Sequence, residues 1–145
     1  MELIQTIADS WGWVGIDPVE VVGDNEFGNL IIRDRTNRYW RLCPEDTYCE
    51  LIADDRSELD VLSNDQEFLA DWNMLNLVSD AKSQVGALIP GYKYCLKIPS
   101  VLGGEYKTSN MGSAPLIELV ALSGHIAKEI DGLPDGAKVE FRFVE

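Results

Sequence analysis

The only histidine of the chain, His125, limits the catalytic groups that the sequence can assemble. A Ser/His/Asp triad or a Cys/His pair uses a histidine as its general base. His125 falls within a predicted helix, on the side opposite Ile126 and Ile130, where a solvated side chain is expected. The sequence therefore predicts neither a triad nor a dyad.

Carboxylates are far more abundant, with 25 Asp and Glu against 12 Lys and Arg. Adjacent acids, such as Asp54 with Asp55 or Glu45 with Asp46, offer the paired carboxylates that glycoside hydrolysis uses. In so acidic a chain such pairs arise by chance, so a solvated surface is the favoured interpretation. A small carboxylate-dependent hydrolase is an alternative, which a cleft with convergent acids would support.

Metal and cofactor sites are not predicted. Cys43, Cys49 and Cys95 form no CxxC pair, and one histidine cannot complete a zinc site with them. Residues 54–58 lack the ligand spacing and central glycine of a calcium loop. Gly103 and Gly104 belong to no phosphate-binding motif, so they are expected to form a turn.

The net charge is −13 and the pI is about 4.3. Such a field repels nucleic-acid phosphates and anionic lipids, whereas it attracts a basic protein. No leader sequence is visible, and no apolar run approaches the ~20 residues of a membrane span. With three cysteines that suggest reduced thiols, these features predict a soluble, cytoplasmic protein.

The apolar periodicity predicts an α+β fold in one domain, residues 1–145. It consists of an antiparallel β-meander packed with two main helices and a short N-terminal helix. Strands are expected at 29–34, 38–43, 48–53, 92–98 and 138–144. The short helix covers 3–10, the first main helix runs from a cap at Asn64 or Asp65 to about 83, and the second begins near Pro115 and stops at Gly132.

Candidate partner-binding residues come from two sets. Trp11 and Trp13 lie in a loop-like stretch, where exposed aromatic side chains rimmed by acids would suit docking of a basic protein. The second set contains the acids of the second predicted hairpin and the loop after it: Glu45, Asp46, Asp54, Asp55, Glu58 and Asp60.

Three stretches in order resemble a known family over about residues 1–144. They are Phe27-Gly28-Asn29-Leu30 leading into Tyr39-Trp40-Arg41-Leu42-Cys43-Pro44-Glu45, then Val101-Leu102-Gly103-Gly104-Glu105-Tyr106, then Leu133-Pro134-Asp135-Gly136-Ala137-Lys138-Val139. The series is similar to the C-terminal domain of type VI secretion DNase-immunity proteins, which often follows a GAD-like domain. The chain has no room for a full GAD-like domain before Trp11, so its toxin need not be a DNase.

The resemblance implies a cytoplasmic, non-enzymatic immunity protein that binds a cognate toxin and occludes its active site. Other interpretations are an adaptor or regulatory binding module, and immunity by enzymatic reversal of the toxin's modification. The family motifs fall at strand, turn and glycine positions, so the resemblance assigns no toxin-contacting residue.

Overall fold

The first half of the chain forms a helix and a four-stranded sheet in a computed structural model, which describes residues 2–133. Strands lie in chain order, and each pairs antiparallel with the next, as the predicted meander requires. The elements are α1 (Glu2–Trp11), a short 3-10 helix (Gly12–Val14), β1 (Pro18–Asp24), β2 (Leu30–Asp34), β3 (Tyr39–Cys43) and β4 (Tyr48–Ala53).

Strand β1 was not predicted, because Asp17-Pro18 was interpreted as a turn. Pro18 instead begins the strand, at the edge of the sheet, where a residue without an N–H is tolerated. Two register irregularities interrupt its pairing with β2. They hide the regular alternation that would have identified the strand from its sequence.

One face of the sheet is apolar and packs against α1 and the last helix, α5 (Leu116–Ile130). Its buried core contains Ile7, Trp11, Ile16, Leu30, Ile32, Trp40, Leu42, Cys49, Val120 and Ala127. The two helices approach closely at Gly124, where an added Cβ would lie 2.5 Å from the Ser10 carbonyl oxygen. Glycine is therefore required there by space, within a helix where alanine would otherwise be preferred.

The turn between β2 and β3 is organised by the buried carboxylate of Asp34. It accepts hydrogen bonds from the N–H groups of Thr36 and Arg38, and from Trp40 Nε1 at 2.8 Å. Burial opposes ionisation of Asp34, but these bonds outweigh it and lower its pKa to about 2. The carboxylate thus joins the turn to an aromatic residue of the apolar core.

Three helices follow, α2 (Arg56–Leu62), α3 (Gln66–Asn73) and α4 (Leu75–Val85). Of these, α2 and α3 contact the opposite face of the sheet. Asp65 caps α3, because its side chain accepts from the Phe68 N–H at 3.0 Å. The single helix predicted to reach residue 83 is wrong: Met74, with φ +50°, adopts the left-handed conformation and divides it in two.

A second, two-stranded sheet follows, made of β5 (Tyr92–Leu96) and β6 (Met111–Pro115). With α4 it encloses a second core that includes Phe27, Ala81, Tyr94, Leu96 and Met111. Strand β5 ends before the predicted residue 98. Strand β6, Met-Gly-Ser-Ala-Pro, was not predicted because its composition favours no strand, and its pairing with β5 maintains it.

The α+β class and the antiparallel meander are confirmed. The predicted closing strand at 138–144, and most of the last family-like stretch, lie outside the described residues. Within residues 2–133, none of the helices combines the length and the apolar character that crossing a bilayer demands.

Candidate functional site

Two of the predicted partner-binding residues are buried, which corrects the expectation that they are exposed. Trp11 is 1% exposed, and its Nε1 donates to the Val120 carbonyl at 3.2 Å. Glu45 is 3% exposed. Neither side chain offers a surface to a partner, since helix α1 extends far enough to bury Trp11 and the β3–β4 turn folds Glu45 inward. Trp13, 36% exposed, stacks on Trp11 with ring centroids 6.1 Å apart.

The remaining acids do not form one cluster. Asp46 lies in the turn between β3 and β4, whereas Asp54, Asp55, Glu58 and Asp60 follow the far end of β4. A strand of six residues is roughly 20 Å long, at ~3.3 Å per residue. The sequence-based grouping is therefore wrong, because a hairpin places its turn and its open end apart.

Eight exposed acids lie instead in residues 54–80, here called the acidic arm, which ends within α4 before the exposed Lys82. The arm has one basic residue, Arg56, which pairs with Asp60 at 2.9 Å. Its acids, all exposed, are Asp54, Asp55, Glu58, Asp60, Asp65, Glu67, Asp71 and Asp80. Two large apolar side chains are also exposed on the arm, Val61 at 71% and Leu75 at 75%.

Some of these acids have a structural role. Asp55 caps α2 by accepting from the Glu58 N–H at 2.9 Å, and the Glu58 carboxylate accepts from the Asp54 N–H at 2.7 Å. The two bonds together fix the start of the helix, as in a capping box, except that the Glu58 carboxylate binds the N–H of the residue before the cap. By contrast, the side chains of Asp54, Glu67 and Asp80 make no hydrogen bond within residues 2–133, so they are free to meet a partner.

The arm is joined to the sheet by a chain of polar side chains. Arg41, on β3, donates through Nη1 to Asp71 of the arm at 2.5 Å. Its Nε and Nη2 donate to Asn29 Oδ1 at 3.1 and 2.9 Å. Asn29 Nδ2 in turn donates to both Glu45 oxygens, at 3.0 and 2.8 Å. The Arg41 guanidinium also lies 5.2 Å from the ring centroid of Trp72, a cation–π contact.

The buried end of this network of side chains is the Glu45 carboxylate, whose pKa is perturbed. Burial raises the pKa of Glu45, although the Asn29 hydrogen bonds partly counter it. Arg41 itself is 6% exposed on its side chain, whereas Asp71 is 68% exposed. The network therefore runs from the protein interior to the surface, and its outer end is a solvated carboxylate.

A groove of about 460 Å³ opens where the arm meets the β3–β4 turn. Asp46 stands on one side, accepting from Ser100 Oγ at 2.6 Å and from the Tyr106 hydroxyl. Asp71 and the α3–α4 junction stand on the other. The groove is lined by Arg41, Asp46, Tyr48, Ala70, Asp71, Met74, Leu75, Asn76, Leu77 and Tyr106.

Cys43, Glu45 and Asp46 place three possible metal-ligand atoms within 4.8 Å of one another. Burial raises the pKa of the Cys43 thiol strongly, which favours the protonated form. A thiol must lose its proton to ligate a metal. Glu45 and Asp46 are hydrogen-bonded to Asn29 and to Ser100 and Tyr106, so the cluster is better explained as part of the polar network.

Sequence analysis did not identify Arg41, Asn29 or Asp71 as site residues. One signal was available: Arg41 is a charge inside the aromatic strand Tyr39-Trp40-Arg41-Leu42, where an inward position would require a partner. The partner Asp71 is distant in sequence and could not be inferred. His125 is exposed on α5, as expected.

Comparison with solved structures identifies a similar fold. The structure titled "Crystal structure of Atu4351 from Agrobacterium tumefaciens" superposes with a TM-score of 0.58 at 15% sequence identity. The match covers 85% of this chain and 62% of that one, so this chain spans under two thirds of its length. At this identity the likeness shows a shared fold.

No curated protein matches the chain. The sequence family described as "T6SS immunity protein Tdi1, C-terminal" matches residues 53–127. The matched part begins at the last residue of β4 and contains the acidic arm, the second sheet and most of α5. Since the match covers more than half of the sequence, the chain belongs to the type VI secretion immunity proteins of the Tdi1 C-terminal family.

Proposed function

We propose that this protein binds a cognate secreted toxin in the cytoplasm and neutralises it by covering its active site. The observation that carries the proposal is the family match, which includes the whole acidic arm. Immunity by binding needs a surface rather than catalytic groups. The arm supplies such a surface in the matched part of the chain.

The chemistry of the arm indicates the kind of partner. Its exposed acids are opposed by one arginine that is already paired, so its field attracts a basic protein. Exposed Val61 and Leu75 add apolar area that a partner would bury. In the resulting interface, charge sets the orientation and the encounter rate, while the apolar side chains contribute affinity.

The arrangement of nucleophiles and bases supports a non-enzymatic role. Cys43 and Cys49 are buried, and burial raises the pKa of both thiols, that of Cys49 to about 12. A reactive cysteine needs the opposite shift, toward the thiolate. His125, the only histidine, is exposed on α5 and contacts neither of these cysteines through any described hydrogen bond.

The first experiment is a pull-down of the tagged protein from cells that produce it, with mass spectrometry of the captured proteins. The captured toxin is then expressed in a sensitive strain with and without this protein. We expect the protein to restore growth and to form a stable complex with the toxin. Growth restored without a complex would instead indicate enzymatic reversal of the toxin's damage.

Charge-reversal variants locate the surface. Asp54→Lys, Glu67→Lys and Asp80→Lys are combined on the arm, and Glu118→Lys, Glu129→Lys and Asp131→Lys are combined elsewhere as a control of equal charge change. All six side chains are exposed. We expect the arm variant to lose protection and the control to retain it. Equal protection by both variants would place the toxin on another surface.

The association rate of the complex should also fall with added salt. The Debye length shortens from ~30 Å at 0.01 M to ~8 Å at 0.15 M ionic strength, which screens the attraction between separated charges. Stopped-flow measurements over this range test it. A rate that is the same at both ionic strengths would remove electrostatic steering from the proposal.

A further inference from the structure

We propose that the groove between the β3–β4 turn and the acidic arm receives a lysine or arginine side chain of the toxin. This inference rests on the toxin binding proposed above and names the group that the toxin presents. The groove lies at the edge of the arm, which supplies Asp71 and Leu75 to its lining. The groove's volume, about 460 Å³, exceeds what one long side chain requires and leaves room for its flanking backbone.

The two carboxylates of the groove each retain an oxygen that can accept further hydrogen bonds. Tyr106 and Ser100 both donate to Asp46 Oδ1. Arg41 donates to Asp71 Oδ2. Within residues 2–133, Asp46 Oδ2 and Asp71 Oδ1 have no donor. A carboxylate oxygen in this state accepts a charge-assisted bond from an ammonium or guanidinium group.

Apolar atoms surround these acceptors. Met74, Leu75 and Leu77 line the groove from the arm, and the rings of Tyr48 and Tyr106 line it from the other side. Leu75 is 75% exposed, so its side chain is accessible to a group that enters the groove. Lysine and arginine combine a long aliphatic stem with a charged head, so they match apolar walls that carry carboxylates.

The charges of the groove favour a cation over an anion. Arg41 is the only basic residue in its lining, and its guanidinium is engaged by Asp71, Asn29 and the Trp72 ring. Asp46 has no basic partner within the described residues, so the lining has one surplus negative charge. The neighbouring acids of the arm increase the negative potential, and an entering cation would compensate it.

The test uses small probes, so it does not depend on the toxin. Backbone amide NMR spectra of the full chain are recorded with N-acetyl-arginine amide, with the neutral N-acetyl-norleucine amide, and with inorganic phosphate. We expect saturable shifts at the amides of residues 74–77 and of Asp46 and Tyr106 with the arginine probe. Norleucine amide should bind more weakly, and phosphate should leave these amides unchanged.

Two double variants test whether the probe is bound by the charges of the groove or only by its shape. Asp46→Asn with Asp71→Asn removes both charges, yet each asparagine keeps an oxygen for the bonds from Tyr106, Ser100 and Arg41. Glu67→Gln with Asp80→Asn removes the same charge outside the groove. We expect the first pair of substitutions to lower the affinity for the arginine probe by about tenfold, the usual effect of losing a charged hydrogen bond. The second pair should lower it by less than about threefold.

Three outcomes would overturn the inference: no saturable shift with the arginine probe, equal binding of the norleucine probe, or specific phosphate binding at Arg41. Each leaves the proposed toxin binding standing if the pull-down captures a toxin that the protein neutralises. Conversely, the groove could select the arginine probe although the protein neutralises no toxin. That result would refute the proposed function, while the preference of the groove for a cation would stand.

Discussion

The two faces of the four-stranded sheet are held to their helices by different interactions. On one face, α1 and α5 cover a continuous apolar core that includes Leu30, Ile32 and Leu42. On the other, the acidic arm is joined through Arg41, with a smaller apolar cluster around Tyr39, Ala53 and Leu59. The apolar face buries the larger core, whereas the polar face holds a charged surface in place.

The difference teaches how one small sheet can serve both purposes. Apolar packing is non-directional and depends on the area removed from water. A buried guanidinium has a fixed geometry, and its loss leaves its acceptors without a donor. A surface that must present charges in a defined arrangement therefore gains from a polar attachment, even where an apolar one would be as stable.

The largest loss of stability is expected from a substitution in the core of the apolar face. Trp11→Ala should lower the free energy of unfolding by about 3–5 kcal/mol, because it leaves a large cavity and removes the hydrogen bond to Val120. Trp13→Ala is the matched control, since its side chain is partly exposed. Urea denaturation measures both. A similar loss in the two variants would mean that the stacked pair, rather than burial, stabilises this region.

The next effect concerns the polar face. Arg41→Met keeps much of the side chain's length but leaves the buried Asn29 oxygen without its donor, while Asp71 stays solvated, so it should cost about 1–3 kcal/mol. Arg35→Met, at an exposed pair with Asp17, should change the stability by less than about 0.5 kcal/mol. If Arg41→Met were as stable as the wild type, the arm would be held by its apolar contacts.

Acid pH distinguishes the two faces through Asp34 and Glu45. The folded-state pKa of Asp34 is about 2, below its ordinary 3.8, so its stabilisation is complete above pH 4 and is lost as the pH falls through 2. It should amount to about 2 kcal/mol at neutral pH. The pKa of Glu45 is raised, so its contribution has the opposite sign and is lost as the pH rises through that pKa.

Urea denaturation of the wild type and Asp34→Asn between pH 5 and pH 2 checks the Asp34 part. The stability difference between the two proteins should shrink steadily across this range. A difference that stays constant would show that the Asp34 carboxylate titrates alike in the folded and unfolded chains.

The smallest change in stability is expected at the contact between α1 and α5. Glycine to alanine within a helix normally stabilises by up to about 1 kcal/mol. Gly124→Ala should instead destabilise by about 1–2 kcal/mol, since the new methyl group would overlap the Ser10 carbonyl. Gly12→Ala, which meets nothing within 4 Å, is the control. Stabilisation by Gly124→Ala would show that the two helices separate at little cost.

The same contrast explains what the sequence could predict. Leu30, Ile32, Trp40 and Leu42 alternate with period two, so the apolar face, the central strands and the α+β class were all predictable. The helix division at Met74 was not, because methionine favours helices and carries no signal for the left-handed conformation. Strand β6 depends on a partner strand, and such pairing is not encoded locally.

The functional site was less predictable than the fold, for a related reason. Acidic residues were correctly identified as the dominant surface chemistry, but Glu45 and Trp11 were expected at the surface and are buried. Whether a side chain faces inward at a turn depends on tertiary contacts, here the Asn29 bonds to Glu45. Asp71 becomes significant only when folding brings it to Arg41.

The protected cysteines make this protein convenient for site-specific chemistry. Alkylating reagents attack the thiolate, and the pKa values of Cys43, Cys49 and Cys95 are all raised by burial. A cysteine introduced at an exposed position, as in Glu67→Cys, should therefore react with a maleimide dye well before the native thiols. A fluorophore placed there would report directly on whatever approaches the acidic arm.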